Sequence, residues 1–322
     1  MNTLTDLTDL LTEELQQVIS IFDTELASDL GCVNQLTTRT RSYRGKMLRP
    51  QLLLLTGKAL GPLTKDQLVL AAVVEMVHMA TLVHDDVLDE ADVRRKSPTI
   101  NRVIGNEGAV LLGDYLISHA YHLCSSLEST HFARRIAAAT NTVCEGELLQ
   151  IANRGNWDLD EPTYFEIIRR KTGALTSIAS ELGATAGGAS ALVVRHMTEF
   201  GMELGSAFQI IDDLLDLTAS QSEMGKSVGR DADMGKLTLP VIRSLQEGDR
   251  DHRKELIAAV SNRANSNGDL LALLTRSDAL DYARSVAESH ISRAVSHLQF
   301  LPSGESRDAL QAAAQFVLGR RH

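Results

Sequence analysis

The sequence predicts an all-α protein, and three observations carry that reading. Apolar residues recur at three- and four-residue steps over long stretches. Aromatic side chains make up only 4% of the 322 residues, a poor supply for the aromatic and β-branched strands of a sandwich or barrel. With 6 prolines and no low-complexity linker, nothing divides the chain, so one domain over residues 1–322 is expected. A hydrophobic share of 43% excludes wholesale disorder.

The elements follow in order. Leu4, Leu7, Leu10, Leu11, Leu15 and Val18 mark an amphipathic opening helix. A second long helix is expected over about 65–92, with Thr64 as N-cap and Gln67 completing a capping box. Asp160 can cap a helix that begins near Pro162, where proline is tolerated in the first turn. This helix should continue without a break to Gly187-Gly188, and another should run from about Val193 to Leu217. Residues 94–102, 153–162 and 218–236 read as loops, and no strand pattern stands out.

Charge and cysteine usage narrow the classes of partner. With 32 basic and 42 acidic groups the net charge is -10, which argues against a nucleic-acid partner. Cys32, Cys124 and Cys144 form no CxxC pair and read as buried thiols of a reducing cytosol. The N-terminal stretch is acidic and fits no signal or transit peptide. The longest apolar run, Leu68 to Val83, is interrupted by Glu75 and His78, so no transmembrane segment and a cytoplasmic location are expected.

The chemistry concentrates in two carboxylate clusters. In LVHDDVLDEADVRR, Asp85 and Asp89 stand four apart and share a helix face, with Asp86 about 100° round the axis and Asp92 one turn further on. The pattern recurs as DDLLD at Asp212, Asp213 and Asp216. One such motif is weak, but two that each end an apolar helix are hard to read as solvated faces. Oxygen-only donors suit a hard cation, and Mg²⁺ shared with a phosphorylated ligand is the usual arrangement. Zinc is disfavoured at these clusters because no cysteine or histidine group accompanies the acids. Basic residues complete the pattern: Arg94 and Arg95 follow the first cluster, Lys226 and Lys236 the second, and GKMLRP and RRKTG supply Lys46, Arg49 and Lys171. Carboxylates, Mg²⁺ and such cations together make a clamp for diphosphate. His78, seven residues before Asp85, lies on the same helix face.

Seven segments, in order, resemble the trans-isoprenyl diphosphate synthases (polyprenyl synthases): GKMLRP, EMVHMATLVHDDVLDEADVRR, GDYL, EGELLQ, RKTGAL, FQIIDDLLD and GKSVGRDADMGKLTLP. The resemblance implies helices around a deep central cavity, a homodimer, and head-to-tail condensation of an allylic diphosphate with isopentenyl diphosphate. It implies Mg²⁺ sites at Asp85, Asp86, Asp89, Asp212 and Asp216. Arg94, Lys171, Lys226 and Lys236 would grip the allylic diphosphate, and Lys46, Arg49, His78 and Arg95 the isopentenyl diphosphate. Gly45 would permit close backbone approach, and Thr172 and Gln209 would face the developing allylic cation. Closure of the 218–236 loop would keep water from that cation. The resemblance fades after about residue 245, and Lys96 stands where the family usually has glycine.

In the family the helix before the first cluster lines the pocket in which the product grows. Thr81, Ala80, Val77 and Val74 occupy positions four, five, eight and eleven before Asp85, and none is a bulky ring. A product longer than farnesyl diphosphate, C30–C50, is therefore expected, with geranylgeranyl or farnesyl diphosphate as the alternative if another residue such as Phe132 forms the floor. Two other readings are weaker. A class I terpene cyclase generally lacks a second DDLLD and the GKMLRP segment, and a non-catalytic subunit of a heteromeric synthase would be marked by degenerate aspartate clusters.

Overall fold

A computed structural model describes residues 10–95, 97–218, 231, 234–261 and 266–320. Packing divides the chain into two compact units, each assembled from separate stretches. The first comprises Met1–Thr140, Leu175–Gly201 and His297–Ala313; the second comprises Asn141–Ala174, Met202–Ser296 and Ala314–His322.

The first unit begins with helices α1 (Thr12–Glu25), α2 (Gly31–Arg39) and α3 (Leu48–Lys58). They are followed by α4 (Lys65–Leu88) and α5 (Ile100–Ser125). Leu15, Val18 and Phe22 bury the apolar face of α1, as its periodicity requires. Helix α4 packs against α1, α3 and α5, and its middle is buried on nearly every side. An apolar surface all round a helix demands that central position. Its start carries the expected capping box: Thr64 Oγ1 accepts from the Gln67 N–H, and Gln67 Oε1 accepts from the Thr64 N–H at 2.8 Å. The Gln67 amide then donates to the Gly183 carbonyl at 3.2 Å, tying this end to helix Ala174–Ala186.

The end of α4 departs from expectation. The helix stops at Leu88, Asp89 is its C-cap, and Glu90 takes a left-handed conformation with φ 48°. The chain turns there into a small antiparallel hairpin, with Val93–Arg94 paired to Ser97–Pro98. Asp92 is thus outside the helix and pairs with Arg102 instead of extending the aspartate face. Neither this exit nor the two-residue strands leave a periodic trace in sequence.

By length and composition α4 could cross a membrane, because its 24 residues outrun the apolar stretch read from sequence. Yet 72% of its most apolar window is buried inside the protein. Of the cysteines only Cys124 is buried, its thiol pushed up to about 11 by loss of water, while Cys32 and Cys144 are exposed, which corrects the reading of three buried thiols.

Further along the chain, Asp160 caps α7 (Glu161–Ile168) by accepting from the Thr163 N–H at 2.9 Å; the intervening helix α6 is Thr130–Ala152. The expected unbroken helix is then interrupted by a π-turn, Arg169–Gly173, before α8 (Ala174–Ala186). Beside this turn Gly146 of α6 comes so close that a Cβ there would stand 2.6 Å from the Lys171 amide nitrogen. Helix α9 (Ala191–Thr218) carries the second aspartate motif in its last turns. Helices α10 (Leu239–Glu247), α11 (Arg250–Ser261), α12 (Ser266–Thr275) and α13 (Ala279–His297) follow, then α14 (Glu305–Leu318).

Candidate active site

Each unit carries one aspartate motif, and each motif is held by a tyrosine. In the first unit Asp85 and Asp89 stack at the end of α4, the Asp89 N–H donating to the Asp85 carbonyl at 2.8 Å. Asp86 is turned inward and is 1% exposed. Its carboxylate accepts from Tyr43 Oη at 2.5 Å and from Arg94, whose Nε and Nη2 reach Oδ1 at 3.0 and 2.8 Å. The tyrosine oxygen also accepts from the Ile100 N–H at 2.9 Å, and Asn101 Nδ2 donates to the Asp86 carbonyl at 3.2 Å. The first helical turn of α5 is thereby joined to the aspartate motif. Burial and the adjacent Asp86 carboxylate push the Tyr43 phenol well above its ordinary range.

The same unit gathers the cationic residues expected for isopentenyl diphosphate. Met47, at φ 50°, turns the chain so that Arg49 and Pro50 enter the first turn of α3, where proline costs no helical hydrogen bond. Gln51 Nε2 holds the turn by donating to the Lys46 carbonyl, and the Lys46 side chain is exposed. Burial lowers the Arg49 guanidinium to about 10, an effect opposed by the charge of Glu75. Glu75, 3% exposed, is itself raised by burial, while Arg49, Arg95 and Arg44 act in the opposite direction. His78 is held well below the usual histidine range by burial, then by Arg49, Arg94 and Arg95. It is therefore a neutral imidazole among cations. Arg49 Nε and Glu75 Oε2 are buried without hydrogen-bond partners. A buried donor such as Arg49 Nε, without a partner among convergent positive charges, is what an incoming anion would satisfy.

Gly45 also makes room within the protein itself. Arg95, at φ 50°, donates from Nη1 to the Tyr43 carbonyl at 2.5 Å, and its guanidinium lies across Gly45. A Cβ at residue 45 would meet Arg95 Nη2 at 2.2 Å. The missing side chain makes room for a protein guanidinium.

In the second unit, Asp213 is 5% exposed and accepts from Tyr164 Oη at 2.7 Å and from Gln209 Nε2 at 2.8 Å. Burial, then the Asp231 charge, raises its carboxyl well above the ordinary range, against the lowering effect of these two donors. Thr172 Oγ1 donates to Gln209 Oε1 at 2.7 Å, so Thr172, Gln209, Asp213 and Tyr164 form one chain of hydrogen bonds. Lys171 Nζ donates to Gln150 Oε1 at 2.9 Å and pairs with Glu147, both within the EGELLQ segment. Asp216 Oδ2 accepts from the Asp231 N–H at 3.2 Å, and the Asp231 carbonyl accepts from the Lys236 N–H at 2.9 Å. Asp212 is paired with Arg320 at 3.0 Å.

The structure thus brings Arg49, His78 and Arg95 together with Arg94 and Asp86, and separately joins Thr172, Gln209 and Asp213. Lys226 and most of the 218–236 loop, like Lys96, lie outside the described residues. Val74, Val77 and Ala80 are at most 1% exposed, and Thr81 Oγ1 donates to the His78 carbonyl at 2.7 Å. Sequence reasoning missed Tyr43, Tyr164 and Glu75. Only Glu75 left a signal, as a carboxylate inside an apolar run; an isolated tyrosine announces no partner.

The donor set fits a hard cation. Asp85, Asp89, Asp212 and Asp216 offer oxygen only, and Mg²⁺ typically takes one or two carboxylates and completes its shell with water and phosphate oxygens. Asp86 and Asp213 are engaged in anchoring.

A sequence model of the polyprenyl synthetase family matches residues 32–276. The chain is 34% identical over 298 residues to the octaprenyl diphosphate synthase of Escherichia coli, covering 92% of each protein. Among solved structures, the decaprenyl diphosphate synthase of Rhodobacter capsulatus is similar with a TM-score of 0.93 and 33% identity, over 99% of this chain and 100% of that one. A polyprenyl synthase of Caulobacter crescentus, complexed with calcium and isoprenyl diphosphate, is similar with a TM-score of 0.93 and 30% identity, over 100% and 99% of the two chains. With its tyrosine-anchored aspartate motifs and its cluster of arginines about His78, the chain belongs to the polyprenyl synthetase family and is an all-α prenyltransferase.

Proposed function

We propose that this chain condenses an allylic diphosphate with isopentenyl diphosphate, head to tail, to make an all-trans polyprenyl diphosphate of C30–C50. The observation that carries the reading is the cluster of Arg49, Arg94 and Arg95 about a neutral His78, on the helix that ends in Asp85 and Asp89. Arg49, Arg95, His78 and Lys46 bind the isopentenyl diphosphate, and the unpartnered Arg49 Nε becomes satisfied. Asp85, Asp89, Asp212 and Asp216 hold Mg²⁺, with Asp86 serving chiefly to aim Arg94 at the allylic diphosphate. When bound, Mg²⁺ supplies Lewis-acid neutralisation of the charge that grows on the departing diphosphate.

The protein's own groups do the rest. Arg94, Lys171, Lys226 and Lys236 share the leaving-group charge, and such a fixed charge array is usually the largest catalytic contribution. Thr172 donates its hydroxyl proton to Gln209, and the two side chains together face the developing allylic cation. Gln209 is in turn fixed by Asp213 and needs no reorganisation as charge develops. The isopentenyl double bond attacks the cation, and the released diphosphate accepts the proton that is lost.

Val74, Val77, Ala80 and Thr81 leave the growing chain room. Val103, Val110 and Leu111 of α5 are exposed, Leu111 by 62%; such exposed apolar side chains support a homodimer. Helix α4 is a core helix, and the protein acts in the cytoplasm. The test is an assay of the purified chain alone with Mg²⁺, farnesyl diphosphate and labelled isopentenyl diphosphate, with products sized by mass spectrometry. C30–C50 products are expected. A product ending at C20 or below would overturn the chain length, and no product would favour the non-catalytic subunit.

A further inference from the structure

We propose that Glu25, His119 and His122 form a second metal site, specific for a zinc-class divalent cation and separate from the aspartate motifs. Glu25 is the last residue of α1, and the two histidines stand one turn apart on α5. All three belong to the first unit. The Nδ1 atoms of both imidazoles converge on one oxygen, Glu25 Oε1, at 3.0 Å for His119 and 2.7 Å for His122. Among the described residues this is the group of three or more His, Cys, Asp or Glu side chains whose donor atoms all lie within 4.8 Å of one another.

The separations suit a tetrahedral ion. Bonds of about 2.0–2.1 Å place neighbouring ligand atoms about 3.3 Å apart, so a few tenths of an ångström of opening admits the metal. His122 can supply that movement, being 77% exposed, whereas His119 and Glu25 are 25% and 15% exposed and better fixed. Tyr115, one turn before His119, packs its ring 4.2 Å from the imidazole and donates its hydroxyl to the Leu26 carbonyl at 3.4 Å. The first ligand ring is thus supported by an interaction with the end of the helix that provides the carboxylate. Two imidazole nitrogens and one carboxylate leave a fourth position for water, a set that selects Zn²⁺ over Mg²⁺. Each neutral imidazole carries its proton on Nε2 when Nδ1 binds the metal, so binding requires no net loss of protons from neutral rings. The ion would clamp α1 to α5 between residues far apart in sequence.

The test uses the metal-stripped full chain, titrated with Zn²⁺ in excess Mg²⁺ and with Co²⁺ as an optical probe. Wild type should bind one more equivalent of Zn²⁺ than His122→Ala or Glu25→Gln, give a tetrahedral Co²⁺ spectrum, and show a rise in Tm on Zn²⁺ addition. Both variants should lose affinity at this site by more than about tenfold, a loss already seen when only an outer-shell partner is removed. Their Mg²⁺-dependent prenyl transfer should be unchanged. Replacing exposed His122 spares the core, and Glu25→Gln keeps the side-chain shape, so the two variants guard against a folding artefact. Equal Zn²⁺ stoichiometry and affinity in all three proteins would overturn the site and leave a hydrogen-bonded His-Glu-His cluster.

Discussion

Tyr164 donates its hydroxyl proton to Asp213 across 2.7 Å, and both side chains are buried. Tyr43 does the same for Asp86 in the other unit. In each DDxxD motif, therefore, the second aspartate is anchored by a tyrosine hydroxyl. Removing the hydroxyl with Tyr164→Phe strips a buried carboxyl of one of its two donors, which should cost about 1–3 kcal/mol. Urea denaturation measures that cost. Because Gln209 is held through Asp213, kcat should fall by more than KM changes; a variant with wild-type kcat would remove Asp213 from the positioning of Gln209 and Thr172.

His78 makes stability depend on pH in a defined direction. Its folded-state value is depressed by burial and by three arginines, so below about pH 6.5 the unfolded chain binds a proton that the folded chain resists. Stability from this residue is complete above that pH and declines below it, by at most about 1.4 kcal/mol per pH unit. Denaturation curves taken from pH 5 to 8 should show a shallower acid limb for His78→Asn than for wild type. Parallel limbs would mean that His78 does not resist protonation.

Gly146 is required by the backbone that approaches it. A methyl there would meet the Lys171 amide nitrogen at 2.6 Å and Arg170 Cβ at 2.7 Å, neither of which can swing aside. Gly146→Ala should destabilise by about 1–3 kcal/mol, as overpacked sites do. It should also move the π-turn that carries Lys171 and Thr172, lowering kcat/KM for the allylic substrate. Thermal unfolding together with steady-state kinetics checks both effects.

Chain length gives a sharper readout. Ala80 is fully buried, and a phenyl ring in its place would add bulk on the face of α4 proposed to line the product tunnel. Ala80→Phe should shift products toward shorter chains at a stability cost of about 1–3 kcal/mol. Radio-thin-layer chromatography of the products would show it. An unaltered distribution in a folded variant would mean that this face of α4 does not line the tunnel.

The elements written in local chemistry were legible. Thr64 with Gln67 and Asp160 with Pro162 place two helix starts, because a cap is a contact between residues three apart. The aspartate motifs and their neighbouring bases were legible for the same reason. What stayed hidden depends on distant partners. Asp85, Asp86 and Asp89 look alike in sequence, and only Tyr43 and Arg94 distinguish the anchor from its neighbours. The π-turn at Arg169–Gly173 lies beside Gly146, more than twenty residues earlier, and a periodicity reading passes straight over it.

Gly45 and Arg95, fifty residues apart, occupy what amounts to a single parcel of space. Adding even one carbon to the first evicts the charged end of the second. Alanine at 45 would therefore be accommodated by displacing the far end of the flexible Arg95 side chain, and with it the guanidinium proposed to meet isopentenyl diphosphate. The smallest residue in GKMLRP is in this sense paired with the second arginine of the 94–95 pair, and Gly45→Ala should be felt first at that guanidinium.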